Sequence, residues 1–138
     1  MILAYTLLMN DLNCIFCKIV KGEIPSEKIY EDENLLAFMD IFPINKGHVL
    51  IITKDHYQWM QDVPDELISK SFIKTKELIT AIKNGVGADY VQISVVGKDV
   101  PHFHIHLIPR FNDDGFSNWE TKKYEEGEIK EFADKIRG

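Results

Sequence analysis

His102-Phe103-His104-Ile105-His106-Leu107-Ile108-Pro109-Arg110 is the stretch that decides how this chain is read. Side chains alternate between the two faces of a strand, so His102, His104 and His106 share one face and Phe103, Ile105 and Leu107 the other. Same-face neighbours stand ~6.6–7 Å apart, close enough for one ligand to touch all three. Clustered imidazoles resist simultaneous protonation, because each positive charge disfavours the next. At least one therefore stays neutral near physiological pH, where it is both a nucleophile and a hydrogen-bond acceptor. A bound phosphate favours positive charge on its neighbours, and the combination suits phosphoryl or nucleotidyl transfer. A single histidine on a strand is usually structural, and alternating histidines can also be a plain metal site. Three of them, flanked by apolar residues and closed by Pro109-Arg110, are hard to explain as packing alone.

Outward from this run, residues 28–31 and 35–40 read as two short strands around the polar break Asp32-Glu33-Asn34. Asn45-Lys46-Gly47 turns the chain into residues 48–52, a continuous apolar stretch that suits a buried central strand. Residues 90–96 and 103–108, separated by Gly97-Lys98-Asp99 and stopped by Pro109, complete five strands. One long helix is predicted from about Pro64 to Asn84, capped by Asp62, with Pro64 and Asp65-Glu66 in its first turn and its end at Asn84-Gly85. Its stripe of Leu67, Ser71, Leu78 and Ile82, with Ile68, Phe72, Ile79 and Ala81 nearby, reads as core packing. A short C-terminal helix is predicted over residues 126–136. The fold class is α+β: a mainly antiparallel five-stranded sheet with one long helix and a short C-terminal helix.

At 138 residues and 45% hydrophobic, the chain suffices for one domain with a real core. Residues 14–138 read as that domain and residues 1–13 as an extension. The extension is apolar but lacks a basic flank and a cleavage site, and it is too short to span a bilayer. A start placed too early, ahead of Met9, would account for it, as would a short element packed on a partner. A cytoplasmic location without membrane association is expected. The net charge of −6 gives no general attraction for DNA or RNA, so any phosphate must be met by a few placed donors. Cys14 and Cys17 are too close in sequence for a disulfide to stabilise much, so the pair reads as a metal site, with a redox dithiol or two plain reduced cysteines as the alternatives. A redox dithiol would open a helix after a strand in a βαβ pattern, which the surroundings lack; two thiolates and two imidazoles would complete a tetrahedral zinc set.

The run from His102 to Arg110 resembles the signature of the histidine triad (HIT) superfamily. Cys14-Ile15-Phe16-Cys17-Lys18-Ile19, Tyr30-Glu31-Asp32-Glu33, Ala37-Phe38-Met39-Asp40-Ile41 and Lys46-Gly47-His48-Val49-Leu50-Ile51-Ile52 follow in the same family order. The similarity spans about Cys14 to Trp119 and is nearest to small zinc-containing prokaryotic members of the Hint-like branch. It implies a HIT-like fold and a homodimer. It also implies His104 as a nucleophile that forms a nucleotidyl-histidine intermediate, with His106 and His48 orienting it and binding phosphate. Asp40 would accept from the ribose hydroxyls, and Phe16, Ile19, Phe38, Ile41 and Phe42 would wall a purine base. Structural zinc would sit on Cys14, Cys17, His56 and His102.

The loop before the triad is shorter than in relatives. It places Lys98 and Asp99 toward the leaving group and leaves Ser94 and Gln92 as substitutes for a phosphate-binding Asn. Residues 113–119 resemble a C-terminal arm at the dimer and substrate entrance, with Trp119 near a leaving group. The implied activity is hydrolysis or transfer at a nucleoside phosphoramidate or dinucleoside polyphosphate, releasing a nucleoside monophosphate such as AMP, without catalytic metal or organic cofactor. A non-catalytic purine-nucleotide-binding regulator is the alternative. A metal-storage or redox protein is a third reading.

Overall fold

Five short apolar segments hydrogen-bond into one antiparallel sheet, in the order β1-β2-β3-β5-β4. The structure, a computed structural model, describes residues 13–115 and 120–138. The expected extension (apart from residue 13) and Trp119 lie outside them. The strands are β1 (Lys28–Glu31), β2 (Leu35–Met39), β3 (Val49–Thr53), β4 (Tyr90–Ser94) and β5 (His104–Arg110). Helices α1 (Ile15–Val20), α2 (Asp65–Val86) and α3 (Glu128–Arg137) complete the described elements, with a 3-10 turn at Met60–Asp62 before α2. No described helix is long and apolar enough to cross a membrane.

Alternation sorts the sheet residues into two apolar layers. Ala37, Met39, Val49, Ile51, Phe103, Ile105 and Leu107 pack on one side with Leu78 and Ile82 of α2 and Ala133 and Ile136 of α3. Leu36, Phe38, Leu50 and Ile52 face the other way and are covered by Phe16 and Ile19 of α1 and by both cysteines. Because both faces are covered, β2 and β3 are buried at every position, as their unbroken apolar runs require.

The helix ends differ from the sequence reading. Asp62 closes the 3-10 turn and does not cap α2, whose N-cap position is Pro64, with no side-chain cap. The C-terminus passes Asn84-Gly85 and stops at Gly87, which has φ 71° and whose N–H bonds Lys83 O. Gly85 serves packing instead: a Cβ there would collide with the backbone carbonyl of Lys135, so its absence lets α3 lie against α2. Thr75, outside the predicted stripe, is also buried; Thr75 Oγ1 donates to Ser71 O and Ser71 Oγ to Leu67 O, both at 2.8 Å, so both buried hydroxyls are satisfied.

β5 runs through Pro109 to Arg110, although Pro109 was read as its stop. β3 has no residue paired beyond Leu107, so a residue without an N–H is tolerated on that open side. Helix α1 was not anticipated, yet Phe16, Ile19 and Val20 carry the i, i+3, i+4 spacing that marks it.

Candidate active site

β3 and β5 carry the imidazoles, and their register brings them together. Ile52 pairs with His104 and Leu50 with His106, while His48 lies one step beyond the start of β3. His102 precedes β5 but keeps to the same face, its ring 5.9 Å from that of Phe16, which also meets the His104 ring edge-on at 5.1 Å. The five histidines divide into two groups, and the division follows from which nitrogen of each ring carries a proton.

A carbonyl only accepts, so an imidazole nitrogen beside one must be the N–H. His102 Nε2 lies 2.7 Å from Thr53 O and therefore donates to it, leaving the Nδ1 lone pair pointed at Cys14 Sγ (3.2 Å) and Cys17 Sγ (3.5 Å). His56 Nδ1 stands 3.3 Å from Cys17 Sγ, and the His56 and His102 rings are 4.8 Å apart. These separations approach the ~3.6 Å between a sulfur and a nitrogen held on one ion at tetrahedral angles by ~2.3 and ~2.05 Å bonds. Cys14 Sγ also accepts the Cys17 N–H at 3.4 Å and so caps α1. The Cys14 thiol is pushed down to about 2, by Cys17 first and then by His102 and His56, against its burial. The pair does open a helix, contrary to the sequence reading, but no strand precedes it among the described residues and two imidazoles face it. Donor chemistry and lone-pair direction both fit a closed metal site.

His104 obeys the same rule with the opposite result. Its Nδ1 lies 2.7 Å from His102 O and donates there, so the Nε2 lone pair is bare. The residue is only 3% exposed, far less open than a shared pocket for three rings would require. Among the described residues nothing hydrogen-bonds Nε2.

Asp40, His48 and His106 form a second cluster of metal-ligating groups. The Ile44 N–H donates to His48 Nδ1 at 3.1 Å, so Nε2 carries the ring proton and donates to His106 Nδ1 at 3.0 Å. His106 must then hold its own proton on Nε2. The cluster is thus a relay of donors; binding an ion at His48 Nε2 would first require removing that proton. Asp40 stands 3.6 Å from His48 Nε2 and accepts the Phe42 N–H at 2.9 Å. Burial raises its pKa.

Burial, reinforced by His106 and His104, pushes His48 down to about 3. Burial and His104 push His106 down to about 4, against the opposing field of Asp99. His104 is also lowered, by burial first. All three rings are neutral at pH 7, as a lone-pair nucleophile requires.

The HIT domain family profile matches residues 21–113. This chain is a HIT domain protein. It is 43% identical over 122 residues to an uncharacterized HIT-like protein of Methanocaldococcus jannaschii, covering 85% of this chain and 89% of that one. It is 42% identical over 104 residues to the adenosine 5'-monophosphoramidase of Saccharomyces cerevisiae, covering 72% and 64% respectively. A Zn-bound histidine triad family protein from Mycobacterium smegmatis superposes with a TM-score of 0.79 at 30% identity, over 91% of this chain and 94% of that one.

In this HIT domain the remaining predicted residues fall into three settings. Phe16, Ile19 and Phe38 are buried behind the histidines, whereas Ile41 (62%) and Phe42 (59%) stand exposed on the loop after Asp40. Ser94 pairs with His106 and so lies on the histidine face, with Gln92 two residues away opposite Ile108. Lys98 and Asp99 are exposed before the triad, and Asp99 acts on His104 and His106 through its charge. A separate cleft of about 490 Å³, lined by Asp32, Leu35, Lys70, Ile73 and Lys74 among others, contains no imidazole or thiol. The sequence reading missed Thr53 and Ile44, whose backbone groups set the protons on His102 and His48.

The depressed histidines make stability fall in acid. Unfolded imidazoles protonate below ~6.5 while His48 and His106 stay neutral, so their contribution is complete above that pH and is lost as pH drops toward 4 for His106 and 3 for His48. The urea midpoint is expected to fall between pH 7 and 4.5, and to fall less steeply in His48→Gln. An identical slope in that variant would contradict the assignment.

Proposed function

We propose that the protein hydrolyses a nucleoside phosphoramidate or dinucleoside polyphosphate to a nucleoside monophosphate through a nucleotidyl-histidine intermediate on His104. The lone pair left on His104 Nε2, once Nδ1 donates to the His102 carbonyl, carries this reading. Its lone pair attacks the α-phosphorus; the P–N bond forms as the bond to the leaving group breaks, and the leaving group takes a proton. Water then attacks phosphorus and gives up a proton, making good the one the leaving group took, while the P–N(His104) bond breaks and its electron pair returns to Nε2. The net change is substrate plus water to nucleoside monophosphate plus protonated leaving group.

His106, whose Nε2 proton is fixed by His48, offers a donor to phosphoryl oxygen. Asp40 serves the ribose hydroxyls, with Ile41 and Phe42 beside the base. Lys98 and Asp99 serve the leaving group, and Ser94, on the histidine face beside His106, offers a donor to phosphate. The yeast relative's name as an adenosine 5'-monophosphoramidase favours an adenosine phosphoramidate. A homodimer belongs to this reading: the outer edge of β4 carries no strand among the described residues, and the shielded Gln92 Oε1 on it has no hydrogen-bond partner.

Cys14, Cys17, His56 and His102 would hold one structural zinc, tying α1 to the sheet, with no part in bond breaking. Phe16 links the two regions, since it lies on α1 and packs against His104.

His104→Ala is expected to abolish turnover of a fluorogenic adenosine phosphoramidate while AMP binding by calorimetry and the melting temperature stay close to wild type. Full residual activity would remove the mechanism, and AMP binding without wild-type turnover would favour the regulatory alternative. For the metal, elemental analysis is expected to give one zinc per chain, lost in Cys17→Ser with a lower melting temperature. A metal-free protein with unchanged melting in that variant would contradict the zinc assignment.

A further inference from the structure

Asn45 is a turn residue by sequence, and such residues ordinarily need no partner but water. Here it is 8% exposed and its side chain is committed on three sides. Nδ2 donates to Pro109 O at 2.8 Å and to Asp114 Oδ2 at 2.9 Å, while Oδ1 accepts from Lys122 Nζ at 3.0 Å. Two acceptors on one side and an ammonium on the other admit only this orientation of the amide.

Both ends of that clamp lead to the histidines. Pro109 belongs to β5, which carries His104 and His106, and Asp114 is held to the end of β5 by Arg110, with Nε–Oδ2 3.0 Å and Nη2–Oδ1 3.1 Å. Phe111 N adds a further donor to Asp114 at 3.0 Å. On the loop side, Asn45 O accepts the His48 N–H at 3.1 Å, and its neighbour Ile44 supplies the N–H that occupies His48 Nδ1. Lys122 reinforces the same loop, its Nζ donating to Ile44 O and its N–H to Pro43 O, both at 2.6 Å.

We propose that Asn45 is a positioning residue: by clamping the 43–48 loop to the end of β5, it holds the Ile44 N–H on His48 Nδ1 and so dictates the direction of the His48-to-His106 proton relay. Without the clamp the 43–48 loop keeps its Lys122 contacts on Pro43 O and Ile44 O but loses its amide tie to β5, and the Ile44 amide can withdraw. His48 then accepts its proton on Nδ1 as readily as on Nε2, His106 Nδ1 loses a reliable donor, and the Nε2 proton of His106 is no longer fixed toward the substrate. Asn45 touches no reacting atom; it acts through His48. The catalytic part of this inference rests on the hydrolase reading, but the tautomer of His48 does not.

The test uses ring ¹⁵N chemical shifts of His48 in the full-length, substrate-free protein, beside kinetics on the adenosine phosphoramidate. Wild type should show a single tautomer with the proton on Nε2. Asn45→Ala should show exchange between the two tautomers and a kcat about tenfold lower, with a smaller change in KM. Lys122→Met, altered at an exposed side chain, should move the shifts the same way to a lesser extent. A folded Asn45→Ala with an unshifted His48 would overturn the proposal. If Asn45→Ala does not fold, an unshifted His48 in Lys122→Met would do the same. Absence of turnover in wild type would count against the hydrolase reading alone and leave the tautomer result to decide this one.

Discussion

The site depends on a hydrogen bond between near neighbours in the chain, from His104 Nδ1 to the carbonyl of His102 at 2.7 Å. A neutral imidazole has one N–H and one lone pair, so fixing the first fixes the second. Fastening the Nδ1 proton to the backbone leaves Nε2 as a base and nucleophile. The same device operates one residue pair earlier, where Thr53 O takes the His102 Nε2 proton and turns the other nitrogen toward two thiols. Backbone carbonyls thus give like residues opposite lone pairs, His102 on Nδ1 and His104 on Nε2. Alternation puts His102, His104 and His106 on one face; it does not by itself give them different jobs.

Burial then keeps those assignments in force at neutral pH. A solvent-exposed triad would be partly protonated near pH 6.5, and protonation consumes the lone pair. With His48 1% and His104 3% exposed, desolvation moves the charged forms out of reach. The apolar layer that achieves this is built from Phe16, Phe38, Leu50 and Ile52, so covering the sheet and tuning the imidazoles are one act of packing. Phe16 is also the point where the cysteine-bearing helix touches His104, so the packing of that helix bears directly on the imidazole.

Much of this was legible in the sequence. Short apolar and β-branched runs bounded by turn residues mark the five strands, and the spacing of Leu67, Ser71, Leu78 and Ile82 marks the long helix. The grouping of His56 and His102 with the two thiols, and of His48, His106 and Asp40 with His104, follows from the family resemblance that their motifs carry. Three features escaped because they depend on contacts far apart in sequence. Gly85 reads as a helix stop, yet it is an approach point for Lys135, fifty residues on. Pro109 reads as a strand end, yet it is tolerated because β3 has already finished. The depth at which the triad face is buried escaped too, since alternation says which way a side chain points and nothing of what covers it.

The central claim is that His104 presents an unprotonated Nε2. Long-range ¹H–¹⁵N correlation of its ring at neutral pH tests this most directly. The account predicts a protonated Nδ1 and a bare Nε2 in the substrate-free protein. A ring proton found on Nε2, with Nδ1 bare beside the His102 carbonyl, would contradict it.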